Sequence, residues 1–323
     1  MDTREVVVHI AGKCCHIASD DDYLEHIAGD FEPQMVRLFQ TVANGTKVVL
    51  DIGANIGCTA ILFGGMAEQV HAFEPSPTTF GYLRGNVARN AGPNVALHNF
   101  GLGAEAGKST ITFAANNRSG AFVSDREKAN ADHLSEDIQI RTLDHVAASL
   151  ELAALDFIKI DVEGFEGHVL RGGAATLARF RPVVVLELNH WCLNAFQRTS
   201  VPEFFDQLRA TFPLLYAVEG DCYLDLHSLD ESYAVMYHHI LHMRFANILC
   251  AFDETQIEDF RRNYHHGMRA DPPETVVVDA APEPAPAPAP ANILPPSTRP
   301  LYTLPGRVAR RALREARSLI GRS

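Results

Sequence analysis

Residues 48–57 read Val-Val-Leu-Asp-Ile-Gly-Ala-Asn-Ile-Gly, and no other stretch restricts the fold of this chain as tightly. Val48, Val49 and Leu50 form an unbroken apolar run, the pattern of a strand covered on both faces of a parallel sheet. Gly53 and Gly57 follow at once and give the backbone freedom for a tight turn. Ile56, Ala60, Ile61 and Phe63 then suit a helix packed back on the sheet, so that a ligand can approach bare backbone where the helix begins.

The spacing excludes a dinucleotide fingerprint, because the second and third glycine positions of Gly-x-Gly-x-x-Gly are held by Asn55 and Cys58. Asp51 at the head of the loop would repel a pyrophosphate and suits a cationic group. S-adenosylmethionine, with a sulfonium, an ammonium and no phosphate, meets that requirement. Glu74 ends a second apolar run, Val70 to Phe73, where a doubly wound fold places the carboxylate that accepts both ribose hydroxyls; Pro75 and Pro77 then stop the strand. Asp51, Gly53, Ala54, Asn55, Gly57, Glu74 and Pro75 are therefore the expected donor-binding positions of this half of the chain.

Phe31-Glu32-Pro33, Asp51 to Gly57, Phe73-Glu74-Pro75, Thr142-Leu143-Asp144 and Lys159-Ile-Asp-Val-Glu-Gly-Phe-Glu166 stand in an order that resembles the FkbM-type methyltransferases, over residues 31–189. The resemblance implies a class I, Rossmann-like α/β fold with a doubly wound, mostly parallel sheet of about seven strands. It also implies S-adenosylmethionine as donor and methyl transfer, commonly to a hydroxyl oxygen, without fixing the acceptor. In that fold the loop after the third strand, here Asn99 to Gly103, faces the adenine, which makes Gly101 and Leu102 donor-binding candidates.

The 323 residues suffice for one sizeable core with appendages, and a net charge of −12 disfavours a nucleic-acid acceptor. No apolar run reaches membrane-spanning length and the N-terminus lacks a signal-peptide layout, so a cytoplasmic location is expected. Cysteines 14, 15, 58, 192, 222 and 250 show no zinc-site spacing and read as reduced thiols, Cys58 as a small core residue. His238, His239 and His242 have helical spacing but no evident acidic partner, and read as surface or packing residues.

Residues 1–45 predict a hairpin (4–10 and 14–18) serving as a lid or sheet extension, then two helices, with the acidic run Asp20 to Asp22 capping the first or lying solvated. Residues 46–268 form the expected catalytic domain. Within it Ser109 to Phe113 opens an inserted hairpin interrupted by turn residues Asn116 to Gly120, whose Asn117, Arg118 and Ser119 are candidate acceptor contacts. Thr142 or Asp144 caps the next helix. Residues 269–305 contain a Pro-Ala repeat and read as a polyproline-type linker. Residues 306–323 form an amphipathic pattern with six arginines against Glu315, a net +5, suited to an anionic membrane surface, an acidic partner or the acidic body itself.

Asp161, Glu163 and Glu166 follow one buried strand, and Glu187, Asn189 and His190 end the next, so acids and a histidine point to one crevice. A hydroxyl acceptor needs a base, for which Asp161, Glu163, Glu166, His168 and His190 are candidates, with Asp161 or Glu163 preferred on the acceptor side. Asp161 is equally suited to the methionine ammonium. No resident metal is expected, although Asp161, Glu187 and Asn189 offer hard oxygens for Mg²⁺ against a vicinal diol. A non-catalytic scaffold that binds S-adenosylmethionine is the alternative from another functional class.

Overall fold

The computed structural model describes residues 3–114, 116–124 and 133–268. The linker and the basic segment expected at 269–305 and 306–323 lie outside the described residues.

The apolar run at Val48 becomes the fully buried strand Val48–Ile52 inside a nine-stranded sheet. Gln69–Phe73 and then Val95–His98 continue the sheet in parallel on one side, and Phe157–Ile160 and Val183–Glu187 on the other. Asn247–Ala251 runs antiparallel between Val183–Glu187 and Leu214–Glu219. The doubly wound α/β sheet is therefore present, but it has nine strands rather than seven. Gly220, at φ +61°, turns the chain so that Cys222–Asp225 returns along Leu214–Glu219, and His265–His266 pairs beyond it.

Strand residues alternate between two apolar cores, one on each face. Val49, Val70, Phe157 and Val185 pack with Phe39 and Phe63, whose rings lie 5.1 Å apart, on the side of helices Pro33–Ala43 and Cys58–Gly64. Leu50, Ile52, Ile158 and Leu186 face the opposite way, against Val146, Val169 and Phe204 of helices Leu143–Ser149, Glu166–Gly172 and Val201–Thr211. Covering both faces removes the polar alternation of a one-sided sheet, which is why the central strands read as continuous apolar runs. Helix starts are set by side-chain caps: Ser76 accepts from Thr79 N–H, Ser200 from Glu203 N–H and Thr142 from His145 N–H. Asp144 caps a different helix, Ala174–Phe180, accepting from the N–H of Ala175 and Thr176.

The hairpin Arg4–Ile10 with Lys13–Ser19 forms, yet it does not extend the main sheet. With Gly29–Asp30 it makes a separate three-stranded sheet, because the side chains of Asn86 and Asn90 take up the backbone edge at Ala18 and His16. The acidic run neither caps the helix Tyr23–Ile27 nor lies free. Asp20 holds the Arg118 guanidinium through two bonds, Asp21 accepts from Arg118 N–H, and Asp22 pairs with Arg4. Arg118 belongs to a four-stranded sheet of Gly101–Leu102, His133–Arg141, Gly107–Ala114 and Asn117–Val123. Asn117 pairs with Ala114 and Phe122 with Thr112, and the register shifts between them, so the expected hairpin forms with an irregularity in its ladder at Arg118 to Gly120.

After Phe157–Ile160 the chain turns sharply, with Glu163 at φ +54° and Gly164 at φ +92°. The Glu166 carboxylate stabilises this turn, its Oε1 accepting from the N–H of Val162 at 3.1 Å and of Gly164 at 3.2 Å. Its Oε2 is buried without a hydrogen-bond partner, and burial pushes the pKa up to about 7 against the pull of those backbone bonds. A carboxyl with a raised folded-state pKa stabilises most fully below its unfolded value, and that contribution is lost as pH rises through about 7. Glu166→Gln keeps the Oε1 acceptor and removes the titration. Urea unfolding should find the wild type losing on the order of 3 kcal/mol relative to this variant between pH 4.5 and 8; a pH-independent difference would refute the assignment.

Candidate functional site

A cleft opens where Val48–Ile52, Gln69–Phe73, Phe157–Ile160 and Val183–Glu187 reach their carboxyl ends. Gly53, Ala54, Asn55, Gly57, Glu74, Pro75, Gly101 and Leu102 all line it, as do Asp161, Glu163 and Glu187. The loop bends through Gly53 at φ +81° and Asn55 at φ +51°. At Gly53 a Cβ would stand 1.9 Å from the Asp161 carbonyl oxygen, so the loop rests directly on the turn of the neighbouring strand.

Glu74 is buried at the rim, one oxygen accepting from Asn55 N–H at 3.1 Å and the other from Ser76 N–H at 2.9 Å. Each oxygen keeps a further lone pair for a ligand hydroxyl. Burial raises its pKa to about 7, with the two backbone bonds opposing. Asn99 donates to the carbonyls of Glu74 and Pro75 and so braces this turn.

Asp51 departs from its expected role. It is fully buried and does not line the cleft: Oδ2 accepts from the Thr59 hydroxyl at 2.7 Å, and Oδ1 lies 3.3 Å from the Lys159 ammonium. Lys159 stands opposite Asp51 in the strand register, donates to the Gly53 carbonyl at 2.7 Å and approaches Asp161 at 3.5 Å. Burial works to lower the Lys159 pKa, but Asp51 and Asp161 outweigh it and the net direction is upward. Asp51 thus fixes the loop from behind through a charged lysine instead of meeting the ligand.

On the other side of the cleft Asp161, Glu163 and Glu187 each present a carboxylate oxygen, all within 4.8 Å of one another. Glu163 is held by the Asn189 amide at 3.1 Å and the Cys192 thiol at 3.2 Å, both donating to Oε2. Asn189 therefore does not join the oxygen cluster as a third ligand; Glu163 takes that place. Glu187 has its pKa pushed well up by burial and then by Asp161, with which it shares a hydrogen bond. Asp161 has 31 % of its side chain exposed. The set is chemically suited to a cationic ligand group or a hard cation.

His190, expected among the catalytic groups, does not line the cleft. Its ring packs edge-on to His239 at 5.1 Å, and its N–H donates to His239 Nε2 while His239 Nδ1 donates to the Arg244 carbonyl. Burial lowers the pKa of both, His239 to about 4, so the pair is a neutral packing contact. His168 stacks on Phe165 at 4.1 Å, and Glu166 lies beneath the turn. Cys58 is buried, and burial pushes its thiol pKa up, away from a nucleophile.

Asn117, Arg118 and Ser119 reach the cleft wall, with Arg118 committed to Asp20; Phe122 stacks on Phe196 at 3.7 Å and ties this wall to the body. Tyr23 and Glu32 complete the lining from the N-terminal region and carried no assigned role in the sequence. The signal at Glu32 is its place before Pro33, where it takes φ +32° and turns the chain into the cleft.

Residues 51–218 match the model of the Methyltransferase FkbM domain. The hexuronic acid methyltransferase AglP of Haloferax volcanii is 31 % identical over 159 residues, 48 % of this chain and 61 % of that protein. The 2-O-methyltransferase NoeI of Sinorhizobium fredii is 29 % identical over 150 residues, 42 % of this chain and 60 % of that protein. The match thus spans about three fifths of the length of each relative. The crystal structure of Methyltransferase FkbM from Methylobacillus flagellatus aligns over 44 % of this chain and 32 % of that one, at 21 % identity and a TM-score of 0.32. With the family's domain covering more than half of its residues, the chain belongs to the FkbM methyltransferase family.

Proposed function

We propose that the chain transfers a methyl group from S-adenosylmethionine to a hydroxyl oxygen of a sugar-bearing acceptor. The observation that carries this reading is one cleft holding a glycine loop, the buried carboxylate Glu74 and a cluster of three carboxylates on the facing side. The residues suit the donor: Glu74 offers lone pairs to ribose hydroxyls, Gly53 to Asn55 offer backbone, and Gly101 and Leu102 offer a small apolar edge. When bound, S-adenosylmethionine supplies an electrophilic methyl group. The hexuronic acid in one relative's name and the 2-O-methylation in another's support a glycan-type hydroxyl acceptor.

Asp161 is the base in this reading, since 31 % of its side chain is exposed while Glu163 is buried and the pKa of Glu187 is pushed well up by burial. Glu163, fixed by Asn189 and Cys192, and Glu187, hydrogen-bonded to Asp161, set its position. Deprotonation and alignment of the acceptor are the contributions the protein makes, and orientation is the larger part. A divalent cation on the three carboxylates is the second reading, favoured by their mutual distances within 4.8 Å.

Labelled methyl transfer to hexuronic-acid and other sugar acceptors tests the activity; donor binding with no transfer to any of them would favour the scaffold alternative. Titration calorimetry should show donor affinity falling as pH drops through about 7, where Glu74 takes up its proton, by about tenfold per pH unit below it. Glu74→Gln should flatten that dependence. Asp161→Asn is expected to lower kcat by roughly 100-fold while donor affinity changes less than about threefold; an equal loss in both would assign Asp161 to the donor. Dialysis against EDTA should leave activity intact, and its abolition would favour the metal reading.

A further inference from the structure

Helix Leu229–His242 buries Ser232, Val235 and His239, and turns a different side outward. On that side Leu229 is 78 %, Tyr233 67 % and Tyr237 53 % exposed, with Ile240 at 45 % and Leu241 at 46 %. At about 100° per residue these five fall in one continuous band. Scattered exposed apolar side chains are ordinary, whereas a contiguous band along a helix marks a contact surface. Asp230 lies within the band.

The chain leaves the described body beside this helix. His266 Nε2 lies 2.9 Å from Glu231 Oε2 in the first turn, and Gly267 N–H donates to the Tyr223 carbonyl at 2.9 Å. Residues 269–305 that follow, rich in Pro and Ala, can reach on the order of 100 Å at about 3.1 Å per residue. Beyond them, residues 306–323 carry an apolar face of Val308, Leu313, Leu319 and Ile320, and a net +5 where the whole chain carries −12.

We propose that residues 306–323 fold as a helix whose apolar face covers the Leu229–Leu241 band of the same molecule. Tethering keeps the segment at an effective concentration of about a millimolar, so modest apolar burial suffices. Its arginines supply a counter-charge for Asp230, since Glu231 is already paired with His266. An anionic bilayer would meet Asp230 and an acidic body, and a second copy would bring two Asp230 carboxylates towards one another.

The test uses the full chain. Hydroxyl-radical footprinting should oxidise Tyr233 and Tyr237 at least about fivefold faster in the double variant Leu313→Asp, Leu319→Asp than in wild type. Reciprocally, Tyr233→Asp with Tyr237→Asp, both at exposed positions, should raise tryptic cleavage after Arg310, Arg311, Arg314 and Arg317 by about tenfold, since cleavage follows the population of the undocked form. Equal rates in both comparisons would overturn the proposal. So would protection that grows with protein concentration, which assigns the band to a second copy, or protection that arises only with phosphatidylglycerol vesicles, which assigns it to a membrane.

Discussion

The ammonium of Lys159, buried between two carboxylates, is the interaction on which the rest of the site depends. Three partners converge on it: Gly53 O at 2.7 Å, Asp51 Oδ1 at 3.3 Å and Asp161 Oδ2 at 3.5 Å. Asp51 is fully buried and Lys159 nearly so, and each charge is tolerable inside the sheet because the other stands beside it. The same ammonium anchors the glycine loop on one strand and the acidic turn on the next. It thereby couples the donor side of the cleft to the acceptor side in the proposed reaction, and a shift of either carboxylate would be felt at both.

Around this centre the carboxylates divide by environment. Glu74 and Glu166 are buried against backbone N–H groups and have pKa values raised to about 7, yet the first faces the cleft and the second braces the turn below it. Glu163 is fixed by an amide and a thiol, and Glu187 has its pKa raised by burial and then by the Asp161 carboxylate beside it. Five acids near one sheet edge are sustained by four different devices: a lysine, backbone donors, side-chain donors and a hydrogen bond between two carboxyl groups. That division leaves Asp161 as the exposed carboxylate of the cluster.

Much of this was legible in the sequence because it is local. The apolar run into Gly53, the acid after Phe73 and the acids after Ile160 each announce a strand end, and strand ends of a parallel sheet share an edge. Asp51 and His190 were misread because their surroundings are set at a distance. Asp51 meets Lys159 through cross-strand register between segments 108 residues apart in number, and His190 meets His239 from a later helix. Side-chain direction at a strand end follows from that register, which no local pattern encodes. One strand of the sheet escaped notice for a similar reason: His265–His266 is too short for periodicity and exists through pairing with Cys222–Asp225.

Helix Leu229–His242 has two faces with different neighbours. Its inner His239 accepts the N–H of His190, and the preceding residue, Asn189, donates its amide to Glu163. Only two hydrogen bonds and one peptide link therefore separate the helix from the carboxylates of the cleft. Sliding or rotating that helix would pull on the residue that fixes Glu163, giving the outer surface of the protein mechanical leverage over the chemistry at its centre.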